Sequence, residues 1–295
     1  MLSRLALSAA LAATLAAAGT GEVKCPIIFD GRVPAALEPS AFDSDGNGNP
    51  YGAEYVKGRG LTWSQILRFP AGAGASRFEN AAAHKPLEVT IGDGSVFQDQ
   101  RGFRRAGLQF AGDANTGSPG ARGLVTLHFS VRQDAARPLN LSHEYLDVWH
   151  ETSDYAADQV MFQVGTLIGQ ERLPSDTFKV VSRDGRQLWS TPVDAGAWQN
   201  FAIQMDYRKK GFLTNGGKHS TVQVYYSKDD APLEVVLQAT SNNMAGEGQY
   251  QLGMLKKPTG TSDVVNSGYQ ESGIDEGQIY GSVFLEDSSN GCVSL

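Results

Sequence analysis

The residues of this chain best suited to chemistry are carboxylates set among amides. Glu144 opens the run Glu144-Tyr145-Leu146-Asp147-Val148-Trp149, where its same-parity neighbours Leu146 and Val148 are apolar. A carboxyl at the end of an apolar row is desolvated, which raises its pKa and suits it to protonate a leaving group as a general acid. The plainer alternative is an exposed edge residue or the partner of an arginine. In Phe103-Arg104-Arg105-Ala106-Gly107-Leu108-Gln109, strand alternation puts Arg105, Gly107 and Gln109 on one face. A glycine in mid-strand marks a bulge or a close approach. Glutamine, not charge, occupies several strand faces: Gln159 with Gln163, Gln249 with Gln251, and singly Gln204 and Gln223. Neutral amides donate and accept at once, which suits hydroxyl-rich ligands, although ordinary solvation explains each face taken alone. Glu144 is thus the candidate acid, and Arg105, Gln109, His143, Gln163 and Gln251 are the candidate ligand contacts.

A second pattern concerns metal. Asp43-Ser44-Asp45-Gly46-Asn47-Gly48-Asn49-Pro50-Tyr51-Gly52-Ala53-Glu54 fits the spacing of a calcium loop, with Asp43, Asp45, Asn47 and Glu54 as oxygen ligands. Pro50 and the lack of flanking helices argue instead for a surface turn rich in glycine and asparagine. There is no zinc-type Cys/His cluster, Walker loop or dinucleotide fingerprint, so no cofactor is required, and a structural calcium ion is the one metal the sequence leaves open.

These residues need a scaffold of strands. Period-2 alternation with turn chemistry between runs marks strands at Leu87–Ile91, Phe103–Phe110, Leu124–Val131, Glu144–Trp149, Gln159–Gly165, Thr177–Val181, Asn200–Tyr207, Thr221–Tyr226, Leu233–Gln238, Gln249–Leu255 and Gln278–Leu285. In Leu124–Val131, the residues Val125, Leu127, Phe129 and Val131 point inward and Thr126, His128 and Ser130 outward. Turns are signalled by Gly92-Asp93-Gly94, Asp184-Gly185 and Asn215-Gly216-Gly217. Only Thr62–Phe69 reads as a short helix. No linker or repeat divides the chain. The expectation is an all-β jelly-roll sandwich of two antiparallel sheets, forming one domain over 19–295.

Residues 1–18 have the layout of a secretory signal peptide: one positive charge, an apolar stretch, and Ala16-Ala17-Ala18 before the cleavage point. The only two cysteines, Cys25 and Cys292, bracket the exported chain and are expected to form a bridge that pairs Pro26–Asp30 with Ser282–Asp287. The net charge of −7 argues against nucleic acid or an anionic membrane and is compatible with a neutral ligand. Asn140-Leu141-Ser142 is the one glycosylation sequon, and its closeness to Glu144 predicts that it stays unmodified.

Several longer strings carry a family resemblance: Cys-Pro-Ile-Ile-Phe-Asp-Gly-Arg-Val-Pro at 25–34, Tyr-Val-Lys-Gly at 55–58, and Ala-Ala-Arg-Pro-Leu-Asn-Leu-Ser-His-Glu-Tyr at 135–145. Further on come Gly-Gln-Tyr at 248–250, Leu-Lys-Lys-Pro-Thr-Gly at 255–260 and Glu-Gly-Gln-Ile-Tyr-Gly at 276–281. In these the chain resembles glycoside hydrolase family 131, secreted fungal β-glucanases with a jelly-roll fold, from Cys25 to about Ser288. The resemblance implies a secreted enzyme that hydrolyses β-1,3-, β-1,6- and β-1,4-glucan of cell walls, and the chain is expected to act as a monomer. It implies an inverting route with two carboxylates, and bound calcium in some members. In the family pattern the Phe-Arg-Arg strand continues small-Glu-Leu, and that Glu is one catalytic carboxylate; the other matches Glu144. Here the position is Gly107, which can neither give nor take a proton. Either another carboxylate such as Glu88 or Asp147 replaces it, or the protein cleaves poorly, or it only binds glucan. A polysaccharide lyase on the same scaffold is a third reading, one that requires a Tyr or His base and an anionic substrate.

Overall fold

A computed structural model describes residues 21–208 and 220–295. The expected signal peptide and the Asn215-Gly216-Gly217 turn lie outside these described residues. The strands are β1 (Ile27–Asp30), β2 (Val33–Pro34), β3 (Leu67–Arg68), β4 (His84–Lys85), β5 (Leu87–Gly92), β6 (Arg104–Leu108), β7 (Leu124–Gln133) and β8 (Glu144–Glu151). They continue with β9 (Asp158–Gly165), β10 (Thr177–Ser182), β11 (Gln187–Pro192), β12 (Gln199–Asp206), β13 (Thr221–Lys228), β14 (Glu234–Ser241), β15 (Gln249–Lys256) and β16 (Asp275–Asp287). They form an all-β sandwich of antiparallel sheets. One sheet has eight strands in the order β14-β13-β12-β7-β16-β5-β3 with β1 also on β16; a second has six, β11-β10-β9-β8-β15-β6; and β2 pairs with β4 apart from both.

The eleven strands read from alternation are all present. Val125, Leu127, Phe129 and Val131 of β7 are buried in the main core, where the ring of Phe129 meets that of Phe162 on β9 at 4.9 Å. The opposite face of β7 departs from expectation. Thr126, His128 and Ser130 are buried, not solvated, because two segments lie over them. Phe78 sets its ring 5.4 Å from His128, and the C-terminal tail brings Ser294 onto Glu286, which pairs with His128 at 2.9 Å. Each covered side chain has at least one partner, as burial favours: Thr126 bonds Ser288 at 2.6 Å and Ser130 donates to Asn200 at 2.6 Å.

The helix expected at Thr62–Phe69 is a single turn, α1 (Trp63–Ile66), which gives way to β3 at Leu67. Strand β11 escaped the sequence reading because it ends in Pro192. A proline is tolerated here because β11 is an edge strand, and the Asp184-Gly185 turn before it already signalled a hairpin.

Cys25 and Cys292 are bridged across 267 residues of chain, with Cα atoms 5.8 Å apart. As expected, β1 pairs with the end of β16 beside the bridge. The bridge pins the tail that seals His128 and Glu286. Replacing both cysteines by serine is therefore expected to cost roughly 4–5 kcal/mol in the loop-entropy picture. Denaturant melts of the double variant check this, and an unchanged midpoint would show the bridge to be dispensable.

Candidate active site

Four neighbouring strands of the six-stranded sheet, β6, β15, β8 and β9, carry the candidate residues. Tyr145, Val148, Phe162, Val164, Tyr250 and Leu252 face the main core. The opposite, outer face carries a separate small cluster of Phe103, Leu146, Trp149 and Leu255. Strand β8 does not alternate evenly between these faces. The register against β9 slips between Leu146 and Val148, so Asp147 is an extra residue and Val148 turns inward. The apolar row expected beside Glu144 is therefore broken after Leu146.

Glu144 sits in a ring of donors, not in an apolar pocket. Its Oε1 accepts from Gln163 Nε2 at 2.7 Å and faces Lys257 Nζ at 2.5 Å; its Oε2 accepts from the backbone N–H of Ile168 at 2.8 Å. With only 4% of its surface exposed, the carboxylate ties β8, β9, the 166–169 loop and Lys257 together. These donors hold the Glu144 carboxylate in place of the apolar row expected beside it. Gln163, expected to bind ligand, is engaged in the same clamp.

Two other expected contacts are also engaged elsewhere. The buried His143 ring lies 2.7 Å from the carbonyl of Lys257 through Nδ1 and 3.0 Å from Glu271 through Nε2. Burial pushes the Glu271 carboxyl up, but hydrogen bonds from Lys256 and Asn140 outweigh it and hold the group at about 2. Gln109 donates to the carbonyl of Asp113 at 2.9 Å and is buried. Gln159 likewise donates to the carbonyls of Met244, Ala245 and Glu247. Asn140 spends its amide on Glu271 at 2.8 Å, so a glycan there would break that bond.

Arg105, Gly107 and Gln251 do come together. The Arg105 guanidinium stands 5.9 Å from the Trp149 ring and donates to Gln100 at 3.1 Å. A Cβ placed on Gly107 would lie 3.3 Å from Gln251 Oε1 and 3.8 Å from the rim of Trp149. Gln251 Oε1 and Arg105 Nε are buried without a hydrogen-bond partner, an arrangement that costs free energy unless a ligand or water completes it.

The sequence reading missed two carboxyls on this face. Glu151, at the end of β8, and Asp158, at the start of β9, are register partners and half-buried. Burial first, then the Glu151 charge, pushes Asp158 up to about 6, against the pull of Lys257 and Arg105. Burial raises Glu151 too, and the Arg105 guanidinium opposes it. One sequence signal could have found Glu151: it shares the parity of Trp149, as Gln249 shares that of Gln251. What sequence could not supply is Asp158 as its neighbour and Arg105 from β6.

The stand-in bases considered from sequence do not serve. Glu88 is locked to Arg137 by two hydrogen bonds of 2.8 and 2.7 Å on the eight-stranded sheet. Asp147 is fully buried with neither oxygen partnered, and burial pushes its carboxyl far up, toward the neutral form. The calcium-like loop is not gathered into a ligand set either. Asp43 accepts from Ser64 at the start of α1, Asp45 accepts from the Ala53 N–H at 2.9 Å, Asn47 donates to Ser44, and Glu54 is exposed. Among the described residues, no three Asp, Glu, His or Cys side chains could hold a metal ion together. Nor is any described helix long and apolar enough to cross a membrane.

Comparison with known proteins bears on this face. The family model for the glycoside hydrolase 131 catalytic N-terminal domain matches residues 27–291. A family 131 catalytic domain from Coprinopsis cinerea superposes with a TM-score of 0.63 at 21% identity, covering 89% of this chain and 94% of that one. A family 131 β-glucanase catalytic domain from Podospora anserina superposes with a TM-score of 0.66 at 18% identity, covering 91% of this chain and 97% of that one. A sequence search of curated proteins finds no match.

Proposed function

The chain belongs to glycoside hydrolase family 131, and from that premise we propose that it is an exported β-glucan hydrolase whose proton donor is the Glu151–Asp158 pair. One observation carries this reading: Arg105 stacks toward Trp149 and acts electrostatically on both Glu151 and Asp158, beside the unpartnered Gln251 and the side-chain gap at Gly107. The pair has the property of a general acid, a carboxyl whose surroundings keep its proton to higher pH than an ordinary carboxylate would, up to about 6 for Asp158. Arg105 orients it. The amides and Trp149 suit a ring with polar edges and apolar faces.

In the inverting reaction the pair gives its proton to the glycosidic oxygen as the bond to the anomeric carbon breaks. A water adds to that carbon from the opposite face and loses a proton to a second carboxylate. Position 107 is where the family pattern puts that second group. Gly107 pairs with Gly253 of β15 and Glu151 with Gln249, so the two positions lie two strands and four residues apart, and only long side chains reaching toward each other bring a pair of carboxyls there toward inverting spacing. With glycine there, the attacking water has no strong base, and turnover is slow. The same gap favours a second reading, a glucan-binding protein without turnover.

Reducing-sugar release from β-1,3/1,6-glucan and β-1,4-glucan, measured beside binding to the same polymers, separates the readings. Slow release with retained binding supports the hydrolase, and binding with no release at all supports the binder. Products absorbing in the ultraviolet would mean an unsaturated sugar end and hence a lyase. No binding to any β-glucan would overturn both glucan readings.

A further inference from the structure

Residues 152–157, the turn joining β8 to β9, begin just past Glu151 and end just before Asp158. At its tip Tyr155 adopts φ 58° and leaves 67% of its surface in water. The left-handed region is sterically costly for a bulky residue, and a turn needing it ordinarily uses Gly, Asn or Asp. A large ring held there against backbone preference and against its own burial requires a reason outside the fold.

The turn is not loose. The Tyr155 N–H donates to the carbonyl of Thr152 at 2.9 Å, Ser153 Oγ donates to the carbonyl of Gly246 at 2.8 Å, and Asn115 Nδ2 donates to the carbonyl of Ser153 at 2.8 Å. Asn115 also reaches the Tyr155 hydroxyl at 3.4 Å. The turn is anchored on the carboxyl pair itself, with Glu151 before it and Asp158 after it, and Gln249 of β15 is the register partner of Glu151.

We infer that Tyr155 is an aromatic platform for a sugar ring beyond the cleavage point, so that the site grips an extended glucan chain and not only its end. This rests on the hydrolase reading above. A phenol presents a flat apolar face and one polar tip, which matches the C–H face and hydroxyl rim of a glucosyl unit at small entropic cost. The Asn115 bond restrains the ring. Because the platform is separated from Glu151 by the turn, short oligosaccharides spanning only the carboxyl pair do not reach it.

Calorimetric titration with β-gluco-oligosaccharides of three and of six or more units tests this on wild type, Tyr155→Ala, Tyr155→Gly and Tyr155→Phe. Loss of the ring is expected to weaken binding of the long chains about tenfold and to leave the short ones unchanged. Tyr155→Phe keeps long-chain affinity near wild type. Tyr155→Gly, whose backbone accepts the positive φ, melts no lower than wild type, so its loss of affinity cannot be unfolding. Equal affinity of wild type and Tyr155→Ala for long chains, or an equal loss for long and short, overturns the platform while leaving the hydrolase reading standing. Failure of wild type to bind any β-gluco-oligosaccharide overturns both.

Discussion

Gly107→Glu is expected to raise β-glucan hydrolysis by roughly 10²–10⁴-fold, the contribution of one positioned general base. The backbone at 107 does not lie in the left-handed region, so a side chain is conformationally allowed. A Cβ there comes within 3.3 Å of Gln251 Oε1, closer than comfortable, but that atom ends a flexible side chain and can give way. Its strand partner Gly253 offers a contrast: at φ 156° a Cβ would strike the Ala106 carbonyl oxygen at 2.1 Å, so Gly253→Ala should melt earlier while Gly107→Glu should not. Adding Glu151→Gln to Gly107→Glu should abolish the gain, because a base without an acid leaves the departing oxygen unprotonated. Reducing-sugar release, with thermal melting of each variant, reads all of this. A wild type that already turns over β-glucan at an ordinary enzymatic rate would show that the gap at 107 is not limiting.

The difference between what sequence revealed and what it hid has a physical cause in each case. Strand β7 was legible because four inward side chains repeat at period 2, and the sandwich followed from eleven such runs. Its covered outer face was not, because the cover comes from Phe78 and Ser294, brought onto His128 and Glu286 by loop and tail paths that no local pattern encodes. Arg105, Gly107 and Gln251 were legible as one face since each strand's parity is local. The surroundings of Glu144 were not legible: the bulge at Asp147 turned Val148 inward, and Gln163, Lys257 and Ile168 supplied donors from three other segments. Glu151 and Asp158 were overlooked because their shared character exists only when β8 and β9 pair and Arg105 reaches across from β6.

The pH dependence of hydrolysis should expose that shared character directly. The charges facing Asp158 are Glu151 on β8, Arg105 on β6 and Lys257 just after β15, and burial pushes Asp158 up to about 6. A general acid works only while protonated, so kcat should be full below that value and decline as pH rises through about 6. The limb belongs to the pair, because two adjacent carboxyls that interact release their protons in coupled steps. Asp158→Asn removes a negative neighbour from Glu151. Glu151 then ionises more readily, and the alkaline limb should move to lower pH. Replacing Arg105 with Met removes the positive charge that favours ionisation in both carboxyls, and the limb should move to higher pH. Glu151→Gln should cost about 10²–10⁴-fold at every pH. Glu144→Gln gives the comparison: a lower melting temperature with turnover retained fits the clamp, whereas loss of turnover at every pH would return the role of acid to Glu144. Opposite shifts in the Asp158 and Arg105 variants cannot arise from general loosening of the fold, which would move both limbs alike or not at all. A limb that stays at wild-type pH in both variants would place the transferable proton on some other group.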